Sequence, residues 1–191
     1  MRVEPRGKFT YGVRVRLVVF AWIALVAGSG CNLVRGPPRE SECRGNLRTI
    51  VANELALMEA RGVYSTHPAE VGFAPAPGNR YLYLFAREGE VTRRDEKPSP
   101  SPEASVGVGP DTRSRGVTAE WLRARLPEDV AAQLGLSGTC PACDVTIACV
   151  GNLDEDETVD VWSISTRARV LPSGETVTQG LPWRHVNDRE R

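Results

Sequence analysis

The stretch "CPACDVTIACVGNLDEDETVDVWSIS", residues 140–165, decides the fold, because a metal or redox site, a calcium loop and a plain hairpin all compete for it. Cys140 and Cys143 have the Cys-x-x-Cys spacing of a thiol redox pair or of half a zinc site. Asp154, Asp156 and Asp160 alternate like the start of a calcium loop. Around them, Val145, Ile147 and Cys149 alternate with Thr146, Ala148 and Val150, and Trp162 and Ile164 alternate with Val159 and Val161. A period of two is that of β-strands, so the stretch predicts a turn at "GTCPAC", a strand, a polar loop "GNLDEDE" and a returning strand.

That reading constrains the chemistry. A catalytic Cys-x-x-Cys needs its first thiol at a helix N-terminus, where the thiolate is stabilised, whereas β-branched residues follow Cys143. A zinc site needs four ligands, which Cys43, Cys140, Cys143 and Cys149 could supply, but no second Cys-x-x-Cys is present. Disulfides are the simpler outcome. If the apolar helical stripe that carries Cys43 meets the strand face that carries Cys149, the two pair, leaving Cys140 to pair with Cys143. For calcium, Val159 stands where the loop requires glycine and Ser165 where it requires a bidentate glutamate. Asp154, Asp156 and Asp160 are therefore a candidate calcium set, beside the reading of a solvated acidic tip. His67 and His185 are the two histidines, "GLSGT" lacks the second glycine of a nucleophile elbow, and no phosphate-cradling loop occurs. The expectation is a non-enzyme without a cofactor, calcium apart.

Working outward, residues 41–62 predict a helix capped by Ser41 and Gly62, with Cys43, Leu47, Ile50, Val51, Leu55 and Met58 on one side. "YLYLFAR" predicts a strand apolar on both faces, hence covered on both. Residues 88–116 are polar, with a Pro-Ser repeat, and predict a flexible surface insertion. Residues 117–138 predict one or two short helices, capped by Thr118 and started by Pro127, covering part of a sheet. Helix followed by strands is α+β, without the alternation of a nucleotide-binding fold. The 191 residues, 41% hydrophobic, suffice for one domain, and a formal net charge of zero with no basic run argues against a nucleic-acid partner.

The N-terminus adds a compartment. Arg2, Arg6, Lys8, Arg14 and Arg16 precede the apolar "LVVFAWIALVA", then Gly28, Ser29, Gly30 and Cys31. This basic region followed by a short apolar one predicts an export signal or membrane anchor over residues 1–30, a connector over 31–40, and Cys31 as a candidate lipidation site.

The order of "SECRGNLRTIVANELALMEARGVYST", "VGFAPAPGNRYLYLF", "CPAC", "GNLDEDETVDVWSIS" and "GLPWRHVND" resembles the head domain of a type IV pilin. The resemblance implies a pilin-like roll, one amphipathic N-terminal helix packed on a small antiparallel β-sheet, with a disulfide-tied C-terminal region. It implies a structural or adhesive role in the cell envelope, in a pilus or pseudopilus or as a lipid-anchored head, with other pilins or pilus-assembly components and the membrane as partners. The N-terminus departs from the family pattern. Lys8 follows Gly7, no glutamate follows Phe9 and Thr10, and Gly-Ser-Gly-Cys and Gly-Pro-Pro interrupt the stretch where one apolar stalk helix belongs.

Overall fold

Helix α1, Arg39–Arg61, is the first described element of the chain. The computed structural model describes residues 39–94, 103–111, 117–154 and 156–188, so the export segment, Cys31 and most of the connector lie outside the described residues. On α1 the buried positions are Cys43, Leu47, Ile50, Val51 and Glu54, spaced by three and four residues, which turns one face to a sheet. Two details differ from expectation. The helix starts two residues before Ser41, which therefore lies within its first turn instead of capping it. The stripe continues to Glu54, while Leu55, one step of about 100° further round, is 42% exposed. Gly62 closes the helix at φ 71°, its N–H bonding the Met58 carbonyl at 2.8 Å.

The sheet is built from β1 (Tyr81–Leu84), β2 (Val91–Arg94), β3 (Gly107–Asp111), β4 (Gly135–Thr139), β5 (Ala142–Gly151), β6 (Asp160–Ser165) and β9 (Trp183–Val186), in the order β2-β3-β1-β5-β6-β9. Strand β4 pairs with the first half of β5 and β1 with the second, so the two lie end to end along one edge of it. All pairings are antiparallel except β2 with β3, which run parallel. A separate hairpin, β7 (Arg169–Val170) and β8 (Thr176–Val177), follows β6.

Two regions expected to be irregular or helical thus contribute strands. Within residues 88–116, β2 and β3 join the sheet beside β1, and residues 95–102 and 112–116 of that stretch are outside the described residues. Their signal is short: β2 is polar and the stretch into β3 offers Val106 and Val108 at alternate positions beside glycines, both buried, while the Ser105 hydroxyl accepts from Thr92 N–H and donates to Gly107 C=O at 2.6 Å. "GLSGT", expected to close a helical stretch, is β4, an edge strand whose last four residues are exposed and so needed no apolar face.

The sheet is covered on both sides. Tyr81, Tyr83, Phe85, Val145, Ile147, Cys149, Trp162 and Ile164 form one core with the α1 stripe. Leu82, Leu84, Val150, Val159 and Val161 form a second with Leu122. Leu122 belongs to α2 (Ala119–Arg123), whose Thr118 cap accepts from Trp121 N–H at 3.1 Å, and α3 (Glu128–Ala131) follows Pro127. Burying each such side chain contributes about 1.5–3 kcal/mol. The inward alternation of both hairpin strands, and the double coverage of "YLYL", follow the sequence pattern. Among the described residues no helix is long and apolar enough to cross a membrane.

Candidate functional site

The cysteines occupy two different places. Cys43 on α1 and Cys149 on β5, both fully buried, are joined in a disulfide with Cα atoms 6.3 Å apart, at the point where helix and sheet meet. Cys140 and Cys143 are joined across the β4–β5 turn, Cα atoms 4.6 Å apart. Cys140 ends a strand hairpin, so no helix N-terminus stabilises a thiolate there. All four described cysteines are thereby committed to disulfides, which leaves no thiolate set for zinc.

The acidic residues separate in the same way. Asp160, grouped by its spacing with Asp154 and Asp156, lies in β6 on the α1 side of the sheet and is fully buried. One oxygen accepts from the Tyr81 hydroxyl at 2.8 Å and from the Trp162 indole N–H at 2.7 Å. The other accepts from Arg184 Nε at 2.8 Å and lies 2.7 Å from its Nη2. Three hydrogen bonds and an ion pair occupy both oxygens, and Asp160 stands apart from the carboxylate group of Asp154 and Asp156. Burial, reinforced by the Asp160 charge, raises the Tyr81 hydroxyl above its usual pKa and keeps it a donor. The node ties β1, β6 and β9 together. Trp162 adds to it through two cations near its ring, Arg184 Cζ 5.2 Å and Arg44 Cζ 5.8 Å from the centroid.

Asp188, just after β9, takes the third place beside Asp154 and Asp156, the three offering carboxylate oxygens within 4.8 Å of one another. Asp188 is buried, accepts from Leu153 N–H at 2.7 Å and from the Thr158 hydroxyl at 2.5 Å, and has its pKa raised by burial. Asp156 accepts from the Thr158 backbone N–H at 2.6 Å, and its Oδ1 lies 2.6 Å from the same Thr158 hydroxyl, whose single proton is shared between the two carboxylates. Val159, which breaks the calcium-loop pattern, is a core residue of the second cluster, and Ser165 is buried in β6. The loop therefore runs directly into β6 after Val159. Asp188 was absent from the candidate set because it lies 28 residues after Asp160, and only the pairing of β9 with β6 carries it to the loop. Its one trace in the sequence is its place in "GLPWRHVND".

The histidines do not form a catalytic site. His185 Nε2 lies 2.7 Å from Ser163 Oγ, but Ser163 is fully buried within β6 and faces no open space. Burial, then the nearby Arg169 charge, pushes His185 down to about 4. His67 Nδ1 meets the Ser105 carbonyl at 3.2 Å, far along the chain from either.

Comparison with known proteins agrees with this geometry. Residues 36–160 match the model of the family described as Type IV pilin PilA, a match that includes α1, β1 to β5 and the acidic loop. The chain is also similar to the Type IV major pilin protein PilA of Myxococcus xanthus, with 28% identity over 208 residues, covering 98% of this chain and 94% of that protein. A helix laid on a largely antiparallel sheet, two disulfides and a family match over most of the chain place it together: the chain belongs to the type IV pilin PilA family.

Proposed function

We propose that this protein is a non-enzymatic, exported structural component of the cell envelope that assembles with other pilins, with residues 39–188 forming its outward head. The observation that supports this reading is the docking of α1 across the sheet, stapled by Cys43–Cys149. Such a head is braced internally on both sheet faces, as a displayed filament subunit requires. Its residues hold an ion-paired carboxylate and disulfides where an enzyme would hold a reactive group. The interrupted apolar stretch before α1, and Cys31 within it, favour a minor component or a lipid-anchored head with an adhesive role over a bulk filament subunit.

Intact mass of the protein isolated from its own membranes and from sheared pili, with and without reduction, tests this. A mature chain beginning at an acylated Cys31 supports the anchored head. A chain beginning near Lys8 or Phe9 and recovered in sheared filaments makes it a polymerising subunit. Recovery in the cytosol as an uncleaved chain with four free thiols in the head overturns both.

A second reading has an observation of its own, the proximity of the Asp154, Asp156 and Asp188 carboxylates. These residues would hold calcium at the mouth of the β5–β6 loop, drawing on loop carbonyls and water to complete six or more oxygens. An ion bound only by the folded state raises apparent stability. A Tm that rises with calcium, not with magnesium, and stops doing so in Asp188→Asn supports it; no response in the wild type removes it.

A further inference from the structure

Glu54 is a buried acid on the core stripe of α1, a position where a leucine would serve packing better. It is fully buried, its Oε2 accepts from Ser65 N–H at 3.0 Å, and its Oε1 has no hydrogen-bond partner among the described residues. The Ser65 hydroxyl in turn donates to Glu70 Oε2 at 2.5 Å and accepts from His67 N–H at 3.0 Å. Two carboxylates thus share one serine, one of them without solvent. Residues 65–73 are braced internally by Glu70 N–H to His67 C=O at 3.1 Å and Phe73 N–H to Pro68 C=O at 2.9 Å. At its far end the segment is fixed by Val71 and Phe73 in the core and by Asn53 Nδ2 bonding the Val71 carbonyl at 3.1 Å. At its near end Gly62 supplies a positive-φ pivot, with Val63 exposed after it. Between pivot and anchor, the Glu54–Ser65 and His67–Ser105 contacts tie the segment to the rest of the molecule, together with Tyr64 packed against the main core and the buried Pro68.

We propose that residues 63–70 form a pH-gated flap, held against α1 while the buried Glu54 carboxyl group is neutral and released when that group, its Oε1 unpartnered and Glu70 nearby, gives up its proton and must be solvated. Burial, opposed by the Ser65 N–H and reinforced by the Glu70 charge, pushes Glu54 up to about 7. Glu70, on the flap itself, is the charged group acting on it. His67, also on the flap, faces the Ser105 carbonyl. The closed state binds the proton more tightly than the open one. Latching is therefore complete below the ordinary glutamate pKa of 4.5 and is lost as pH rises through about 7. With those two values, the open-to-closed ratio increases roughly tenfold between pH 6 and pH 8.5.

Hydrogen–deuterium exchange of the full chain at pH 6 and pH 8.5, corrected for intrinsic exchange, measures that ratio. Protection of residues 63–70 is expected to fall about tenfold while that of the middle of α1 stays level, and Glu54→Gln is expected to abolish the difference. Equal protection at both pH values overturns the proposal. So does a pH response that persists in Glu54→Gln and disappears in His67→Gln, since the latch would then be the histidine. Should Glu54→Gln fail to fold, titration of the wild-type glutamate δ-carbons by NMR decides: a midpoint near 7 for Glu54 supports the latch, and one near 4.5 refutes it.

Discussion

Removing the two disulfides one at a time should have unequal consequences, and the inequality follows from where each is placed in the chain. Cys43–Cys149 links residues 106 apart, whereas Cys140–Cys143 links residues 3 apart. A cross-link stabilises chiefly by shrinking the unfolded ensemble, and the loop-closure relation gives about 4.8 kcal/mol for the long loop and about 2 kcal/mol for the short one. Cys43 and Cys149 are also fully buried in the main core, so replacing both by alanine leaves a void that adds about 1 kcal/mol. The assay is urea unfolding of the oxidised full-length chain, followed by tryptophan fluorescence, with Trp162 reporting from the α1 face of the sheet. With a slope of about 2 kcal/mol/M, Cys43→Ala with Cys149→Ala should lower the midpoint by roughly 2–3 M, and Cys140→Ala with Cys143→Ala by about 1 M. Against a total stability of about 5–15 kcal/mol the first change brings the head close to unfolding, and the second does not. A short-loop variant as destabilised as the long-loop one would refute the reasoning, because it would mean that the β4–β5 turn, and not the helix–sheet staple, organises the fold.

Three further outcomes follow from buried polar groups. Asp160→Asn should cost about 2–4 kcal/mol in urea unfolding, since it removes the charge facing Arg184 and turns a donor toward the Tyr81 hydroxyl or the Trp162 N–H; a loss below about 1 kcal/mol would show that the node contributes little. Arg169 is 5% exposed, and its guanidinium nitrogens have no hydrogen-bond partner among the described residues. Burial and the neighbouring Arg167 charge lower its pKa, so Arg169→Met should leave stability unchanged or raise it by about 1–3 kcal/mol, and a clear loss would reveal a counter-charge. His185, held down to about 4 when folded, binds fewer protons folded than unfolded. Its contribution is present above pH 6.5 and lost as pH falls toward about 4. The stability difference between wild type and His185→Gln should shrink over that window, and a difference that stays level with pH would contradict the assignment.

The parts of this protein legible in its sequence are those governed by local periodicity. The alternation through Val145–Cys149 and Trp162–Ile164 assigned each side chain to its face of the sheet, and the stripe on α1 put Cys43 toward Cys149. Those signals survive because burying the wrong face of a strand or helix is costly wherever the element lands. Spacing misled where the same residue type serves different environments. Asp154, Asp156 and Asp160 alternate along one stretch, but Asp160 enters a strand and is consumed by Tyr81, Trp162 and Arg184, from three separate strands. Strands β2, β3 and β4 were hidden because a polar segment and short glycine-rich ones, with at most a Val106/Val108 alternation, give a weak local signal, and their place depends on neighbours supplied by β1 and β5.

The sequence by itself therefore determined the class of fold, the two-sided core, the hairpin and the membership suggested by the order of its motifs. Tertiary structure alone decided which carboxylates are neighbours, that Asp188 joins the acidic loop, that Glu54 and not Leu55 completes the helix stripe, and that Arg169 is buried with no hydrogen-bond partner among the described residues. The physical reason is range: backbone periodicity and side-chain hydrophobicity act over a few residues, whereas charge and hydrogen-bond partners are fixed by contacts between segments tens of residues apart.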